Sequence, residues 1–400
     1  MSGESPLSMM RTAPQRLRKR PPAPRRRRLW RYLAPVAIVI GVAVGLTCGR
    51  YLSASIADRT LSGWVDREAE LGRVYRCGSQ SIGGFPFLIV TRCDQAGATF
   101  NSNHPPFDVT ATSVAFTAEL YRPTILHGEI TGPVTLANPG EPPIFVADWA
   151  RAQLNLFGLP TDPQGVSVSV VKPRLDRVAG PGSGMIFQAD RADVDGRIVQ
   201  GSARNNPVIE ATGHFTAVMA PSFHPLLAAP LQGDIDAVLR GFKDFAPKPW
   251  PALFREMHET GGGIDIESFR IERSDAIVVG AGTLTVNDHG RLDGVLNVTV
   301  AGIDNIVPLL GIDQLIGQGI ERLTGGGGSS EQGLNALDRL MPGLSGVVRE
   351  NTNSSVIDNI KKLGQPTELD KKPAIALPLR VADGVIFVGI IPVGIVPALF

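Results

Sequence analysis

Ala276-Ile277-Val278-Val279-Gly280-Ala281-Gly282-Thr283-Leu284-Thr285-Val286, then Asn287-Asp288-His289-Gly290, then Leu292-Asp293-Gly294-Val295-Leu296-Asn297-Val298-Thr299-Val300, is the stretch that decides the fold. Val278, Gly280, Gly282, Leu284 and Val286 share one face at period two, the spacing of a strand. Turn-forming residues separate two such runs, so the pair reads as an antiparallel hairpin. Ile264 to Glu272 supplies a strand before it, and Asp293-Gly294 reads as a further turn. The product is a meander with apolar residues on one side.

Downstream, residues 303–364 read as two or three amphipathic helices, with a linker at Gly325 to Ser330 and a break at Pro342. Strands return at the end, where Pro378-Leu379-Arg380-Val381 turns through Asp383-Gly384 into Val385 to Ile391. Upstream, Ile235 to Phe245 reads as a helix, and Leu253 to His258 as a second one stopped by Gly261-Gly262-Gly263. Val166-Ser167-Val168-Ser169-Val170 alternates cleanly and is a strand. Val109 to Leu120, Gly128 to Leu136 and Met185 to Ala192 are further strands, while Phe145 to Leu156 fits a short helix or an exposed strand. Asp-Gly at 195–196, 293–294 and 383–384 suggests three hairpins. With 45 glycines, 32 prolines and 6% aromatics, the composition suits many strands joined by tight turns. The expected class is α+β and β-rich. It has an N-terminal transmembrane helix, antiparallel twisted sheets and packing helices near 235–260 and 303–364. A body of residues 76–400 could divide into two halves near 221–260.

The first 31 residues carry Arg11, Arg16, Arg18, Lys19, Arg20, Arg25 to Arg28 and Arg31 against one acid, Glu4. Prolines at 14, 21, 22 and 24 keep this tail from forming a helix. Tyr32 to Gly49 then contains no charge, about 27 Å as a helix and close to the bilayer core. Cations before an apolar span hold that end in the cytoplasm, and Trp30 and Tyr32 sit at the interface. Residues 1–31 are therefore expected as a cytoplasmic tail and 32–52 as a signal anchor in the inner membrane, with the body translocated. This context takes the tail away from nucleic acid and towards the membrane. A cleaved signal peptide is the competing reading. Against it, Ala54, Ala57, Leu61, Trp64, Val65 and Leu71 recur at three- and four-residue steps, extending the span as an amphipathic helix over 53–75.

Of three cysteines, Cys48 lies in the span, where a thiol behaves as a small apolar group. Cys77 and Cys93 flank a segment with Gly83-Gly84, a turn that brings its ends together. In an oxidising compartment they are expected to form a disulfide, stabilising by about 3 kcal/mol in the chain-entropy view. Two buried free thiols are the alternative. No CxxC and no neighbouring histidine support a metal site.

Catalytic motifs are scarce. The six histidines, at 104, 127, 214, 224, 258 and 289, have no metal-ligand spacing, and HExxH is absent. Ser169-Val170-Val171-Lys172 matches S-x-x-K, yet the serine lies in an alternating strand where that chemistry needs a helix start. Gly343-Leu344-Ser345-Gly346 lacks the nucleophile-elbow spacing, and Gly325 to Gly328 is not followed by Gly-Lys-Ser/Thr. Asp265 and Glu267 read as a solvated edge. The final Phe400 suggests an outer-membrane barrel, but Pro392 and Pro397 break the sustained alternation a barrel strand needs.

The segment Cys77 to Cys93, with Gly84-Phe85-Pro86-Phe87, and the ending from Leu379-Arg380-Val381-Ala382-Asp383-Gly384-Val385 to Leu399-Phe400 resemble a proteobacterial envelope family, domain of unknown function 2125. The resemblance spans roughly 55–400 and implies no activity. It also suggests larger anchored envelope proteins whose twisted sheets hold lipid. The expectation is a non-enzymatic envelope binding or scaffolding protein without a cofactor, whose apolar strands at 276–300 shelter acyl chains, contact an envelope protein, or pack on the helices at 303–364. A periplasmic hydrolase gathering the scattered histidines, and an assembly partner acting through the tail, are the alternatives.

Overall fold

The anchor, tail and most of the helical stretch fall outside what can be described. A computed structural model describes residues 65–84, 87–103, 105–245, 248–307, 360–389 and 391–400, with Gly41, Ser62 and Gly63 besides. The tail 1–31, the span 32–52 apart from Gly41, and residues 308–359 lie outside the described residues. Among those described, no helix is long and apolar enough to cross a membrane.

Residues 53–400 make one compact unit dominated by a single antiparallel sheet. Its first strands are β1 (Arg73–Gly83), β2 (Leu88–Phe100), β3 (Phe107–Glu119), β4 (Arg122–Ala137), β5 (Pro143–Asp148) and β6 (Arg151–Phe157). Then come β7 (Gly165–Val171), β8 (Arg174–Arg177), β9 (Gly184–Gln188), β10 (Arg191–Ser202), β11 (Asn205–Val218) and β12 (Leu231–Arg240). The last are β13 (Gly263–Arg273), β14 (Ala276–Val286), β15 (Leu292–Ala301), β16 (Gln365–Leu369), β17 (Lys372–Ala382), β18 (Val385–Val388) and β19 (Ile391–Ile395). Side by side the main run is β1-β2-β3-β4-β6-β7-β10-β11-β12-β13-β14-β15-β17. The far edge of β17 takes β16 and then β18, and β19 follows β18.

Most connections are hairpins between neighbours, the natural outcome of period-two segments separated by short polar turns. The exception is a flap. β5 bonds the C-terminal half of β4, β8 bonds β5, and β9 bonds β8, so three short strands leave the main run at β4 and rejoin it at β10.

Several expectations change. Ile235 to Phe245 is not a helix: β12 runs to Arg240, paired with β11 and β13. Its Ile235, Val238 and Leu239 mimic helical spacing, but neighbouring strands on both sides supply a ladder that an isolated helix would forgo. The expected helix Leu253–His258 is present as Trp250–Glu259. Phe145 to Leu156 resolves into β5 and β6 with Trp149 at the turn between them. The helix expected over 53–75 ends by Glu70, and β1 starts at Arg73. The sheet passes through 221–260 without a break, since β11 pairs β12 and β12 pairs β13.

Of the three Asp-Gly pairs only Asp383-Gly384 is a hairpin turn, with φ of 49° and 77°, the double positive φ of a type I′ turn. Asp195-Gly196 lies inside β10 and Asp293-Gly294 inside β15, each bonded to a neighbouring strand.

Two buried clusters cover part of the sheet. Val298 and Leu377 pack with Ile303 and Val307 from the short helix region after β15, with Ile360, and with Val388 and Val393 curling over from β18 and β19. Met257 and Phe254 of the helix Trp250–Glu259 pack with Phe242, Leu239, Ile264 and Val286 at one end of β11 to β15. Both clusters sit on the same sheet face.

Candidate functional site

Residues directly opposite one another in an antiparallel ladder share a face, so the register can be followed across the whole sheet. Starting at β3, one such row reads Phe116, Gly128, Leu154, Val168, Val194, Gly213, Ile235, Phe269, Gly280, Val298 and Leu377. Every member is an apolar side chain or a glycine. The row one residue along, on the other face, reads Thr117, His127, Asn155, Ser167, Asp195, Thr212, Asp236 and Ser268. Every member of that row is polar. From β3 to β13 the sheet therefore has one apolar face and one hydrophilic face, while on the latter side of β14 to β17 Ile277, Ala301 and Ala374 form a small buried cluster.

The hydrophilic face is stitched by side-chain bonds. His127 Nδ1 lies 2.6 Å from Asn155 Oδ1, Ser268 donates to Asp236 at 2.9 Å, and Arg197 pairs with Glu210 at 2.9 Å. Asp193 lies under Arg191, whose guanidinium holds the carboxyl below the usual range, against a small cost of burial and helped by Ser169. A cavity of 540 Å³ beside Gly165 and Gly196 has a mixed lining, with Phe157, Val166 and Ile198 next to Asp195, Arg197, Glu210 and Thr212.

The apolar face is covered most fully at one side. From β13 to β17 it lies beneath the helical and curled segments described above. This settles the place of the strands 276–300: their apolar side chains pack on Ile303, Val307 and Ile360 and form core. From β3 to β13 the same face is open in part: the flap roofs Leu154 and Val168, the helix Trp250–Glu259 covers the end holding Ile209, Leu239 and Ile264, and the rest is uncovered among the described residues. Phe116, Val166, Val194, Ile235 and Ile271 keep 36–41% of their surface exposed. At the usual strand spacing, β3 to β13 spans about 33 Å along the row. With a twist of about 20° per pair, the face turns by about 140° over that distance.

The flap partly roofs this face. Trp149, at the β5–β6 turn, donates its indole N–H to the Ile130 carbonyl at 2.7 Å and so pins the flap to β4. Beneath it is a cavity of 420 Å³ with an entirely apolar surface, lined by Ile130, Ala152, Leu154, Val168 and Val170 below and by Ala147, Trp149, Leu175 and Phe187 above.

Cys77 and Cys93 lie on β1 and β2 at disulfide distance, with Cα atoms 5.6 Å apart. The histidines do not converge. His127 is on β4 and His214 on β11, with β6, β7 and β10 between them. His214 meets Asp234 at 2.5 Å, His258 meets Asp288 at 2.9 Å, His224 accepts from the Leu226 N–H, and His104 lies outside the described residues. Ser169 of the S-x-x-K match sits in mid-strand, opposite Asp193. No cluster of three or more metal-ligating side chains occurs among the described residues.

Sequence reasoning found β3, β4, β7 and β13 of this face, read β12 as a helix, put a turn inside β10, left β6 open between helix and strand, and did not show β11 or the face itself. Period-two spacing is visible at 166–170 and again in Ala192, Val194, Gly196 and Ile198, yet nothing in either stretch states which residues lie opposite which.

No curated protein and no solved structure matches the chain. The profile of one family matches residues 51–397, and it covers the whole of the sheet up to β19. The chain belongs to that family, the uncharacterized proteins conserved in bacteria gathered as domain of unknown function 2125.

Proposed function

We propose that this protein is a membrane-anchored, periplasmic binding protein of the bacterial envelope that shelters the acyl chains of a lipid on its open sheet face. One observation carries the reading: the row of apolar side chains and glycines from Phe116 to Ile235, roofed by the flap over Leu154 and Val168, open at Phe116, Val194 and Ile235, and backed by a polar row on the other face. Soluble surfaces rarely expose a contiguous apolar area of this extent without an occupant. The hydrocarbon of one leaflet is about 15 Å deep, so an acyl chain fits within the run of open strands. No hydrogen-bonding group on this row fixes an orientation, which suits a ligand recognised by its length and apolarity. The charge-free span and positive-inside tail supply the anchor and the compartment.

The test is uptake of a fluorescent fatty acid by the full chain in a nanodisc, with empty nanodiscs subtracted. Val168→Asp combined with Val194→Asp should lower uptake about tenfold, because charge on the row opposes burial of hydrocarbon. Ser167→Asp, on the opposite face, should leave it unchanged. Equal uptake by all three proteins would refute the reading.

A further inference from the structure

Large apolar side chains are also exposed away from the open face, and they gather at one end of the strands. Phe157 closes β6, Val199 lies in β10 near its hairpin, Phe245 follows β12, and Trp250 begins the helix Trp250–Glu259. Their exposures are 38%, 50%, 39% and 73%, high for rings and branched chains on a soluble surface. The segments carrying Phe157, Val199 and Phe245 are joined by backbone bonds, and the helix carrying Trp250 is tied to them by the Glu256 carboxylate, which accepts from the Lys243 N–H and from Lys248. The Ile198 N–H reaches the Gln164 carbonyl at 2.8 Å, Phe245 N–H reaches Ala203 at 2.8 Å, and Asn206 N–H reaches Lys243 at 2.9 Å. Trp250 stacks on Phe254 at 6.2 Å and stands clear of the core that Phe254 helps to build. The rings are therefore held outward by ordered backbone.

The charge around them is balanced locally. Arg197 pairs with Glu210, Lys243 with Glu259 at 3.3 Å, and Lys248 with both Asp244 and Glu256. A surface with exposed Trp and Phe, basic side chains nearby and little net field matches the composition of a bilayer interface belt. A nucleic acid would call for a cluster of uncompensated cations, whereas Arg197, Lys243 and Lys248 are paired here and Arg204 alone of these four cations forms no ion pair among the described residues.

We infer that this rim, built from the β6–β7 turn, the β10–β11 hairpin and the β12–helix connection, is a second membrane contact that dips its rings into the interfacial layer of a lipid bilayer. It adds a peripheral contact to the N-terminal anchor. It stands on the exposed rings alone and does not require lipid on the open face, so either idea can fail without the other. Because the rim is charge-balanced, the contact should depend little on ionic strength.

The experiment uses the full chain in vesicles of phosphatidylethanolamine and phosphatidylglycerol, with tryptophan emission quenched by lipids brominated near the head of the acyl chain. Trp250→Phe gives the background from the other tryptophans. The Trp250-dependent emission should fall about twofold, and raising the salt should not restore it. Phe223 is an equally exposed ring on the loop at the opposite strand ends, 72% open. Trp250→Phe combined with Phe223→Trp should therefore give emission that the brominated lipid does not quench. Absence of quenching at Trp250 would overturn the proposal and leave the rim as a contact for a protein. Equal quenching at 250 and 223 would overturn it too, since no particular rim would then face the bilayer. Near-ultraviolet circular dichroism on each variant shows that the fold is retained.

Discussion

Glu256 shows how one residue can hold an end of the open face in shape. It is a buried carboxylate on the helix Trp250–Glu259, next to the fully buried Met257. Burial alone would push its pKa up, but the Lys248 ammonium at 2.5 Å and the Lys243 backbone N–H outweigh that and hold it below the usual value. The ionised form is thus favoured in the fold, and the unfolded chain binds the proton more readily. The stabilisation is present above the unfolded pKa near 4.5 and is lost as pH falls through the lower folded value. Lys248→Met should leave the carboxylate buried with one partner fewer and cost about 2 kcal/mol. Urea unfolding at pH 7 and pH 3.5 checks both statements: the cost of the substitution should shrink at the lower pH, and an equal cost at both would contradict the pairing. None of this could be read in the sequence, where Glu256 sits in an ordinary amphipathic helix. Its partners come from 8 and 13 residues away through a proline-interrupted loop.

At the scale of elements, the hairpin β1–β2 begins the sheet, and β1 is its outer strand there. Outer strands are held from one side and open first. A disulfide between Cys77 and Cys93, closing a separation of 16 residues, would pin this hairpin. Replacing both cysteines with serine should lower stability by about 3 kcal/mol in the oxidised protein and change nothing in the reduced one. Equal stabilities under oxidising conditions would show that the thiols are not bonded. This pair was legible because a Gly-Gly turn between two cysteines is a local signal. So were β7 and β14, where period two is clean. β12 was not, because Ile235, Val238 and Leu239 satisfy helical spacing as well as they satisfy a strand, and only β11 and β13 decide between them. Asp-Gly misled in the same way: the dipeptide permits a type I′ turn, but at 195–196 strands on both sides hold the backbone extended.

At the scale of the molecule, the sequence shows that the chain is a one-sided meander; of the two fates it leaves open for the strands 276–300, packing on the following helical residues is the one the structure has. The strands 276–300 have the strongest one-sided pattern, and their apolar face is buried as core. The open face lies earlier, on strands whose own patterns are weaker: Gly128, Gly196 and Gly213 interrupt them, and glycines score as neither apolar nor polar. Register across β3 to β13 turns these modest patterns into one apolar surface, and register is a property of turns and bulges distributed over 150 residues or so. The most direct test exploits the alternation itself. A photo-crosslinking amino acid is placed singly at 168, 194 and 235 on the apolar row, and at 167, 195 and 236 on the polar row. Each full-length protein is irradiated in nanodiscs containing radiolabelled phospholipid. The account predicts lipid adducts from the first three positions and none from their immediate neighbours; adducts from both sets alike, or from neither, would contradict it.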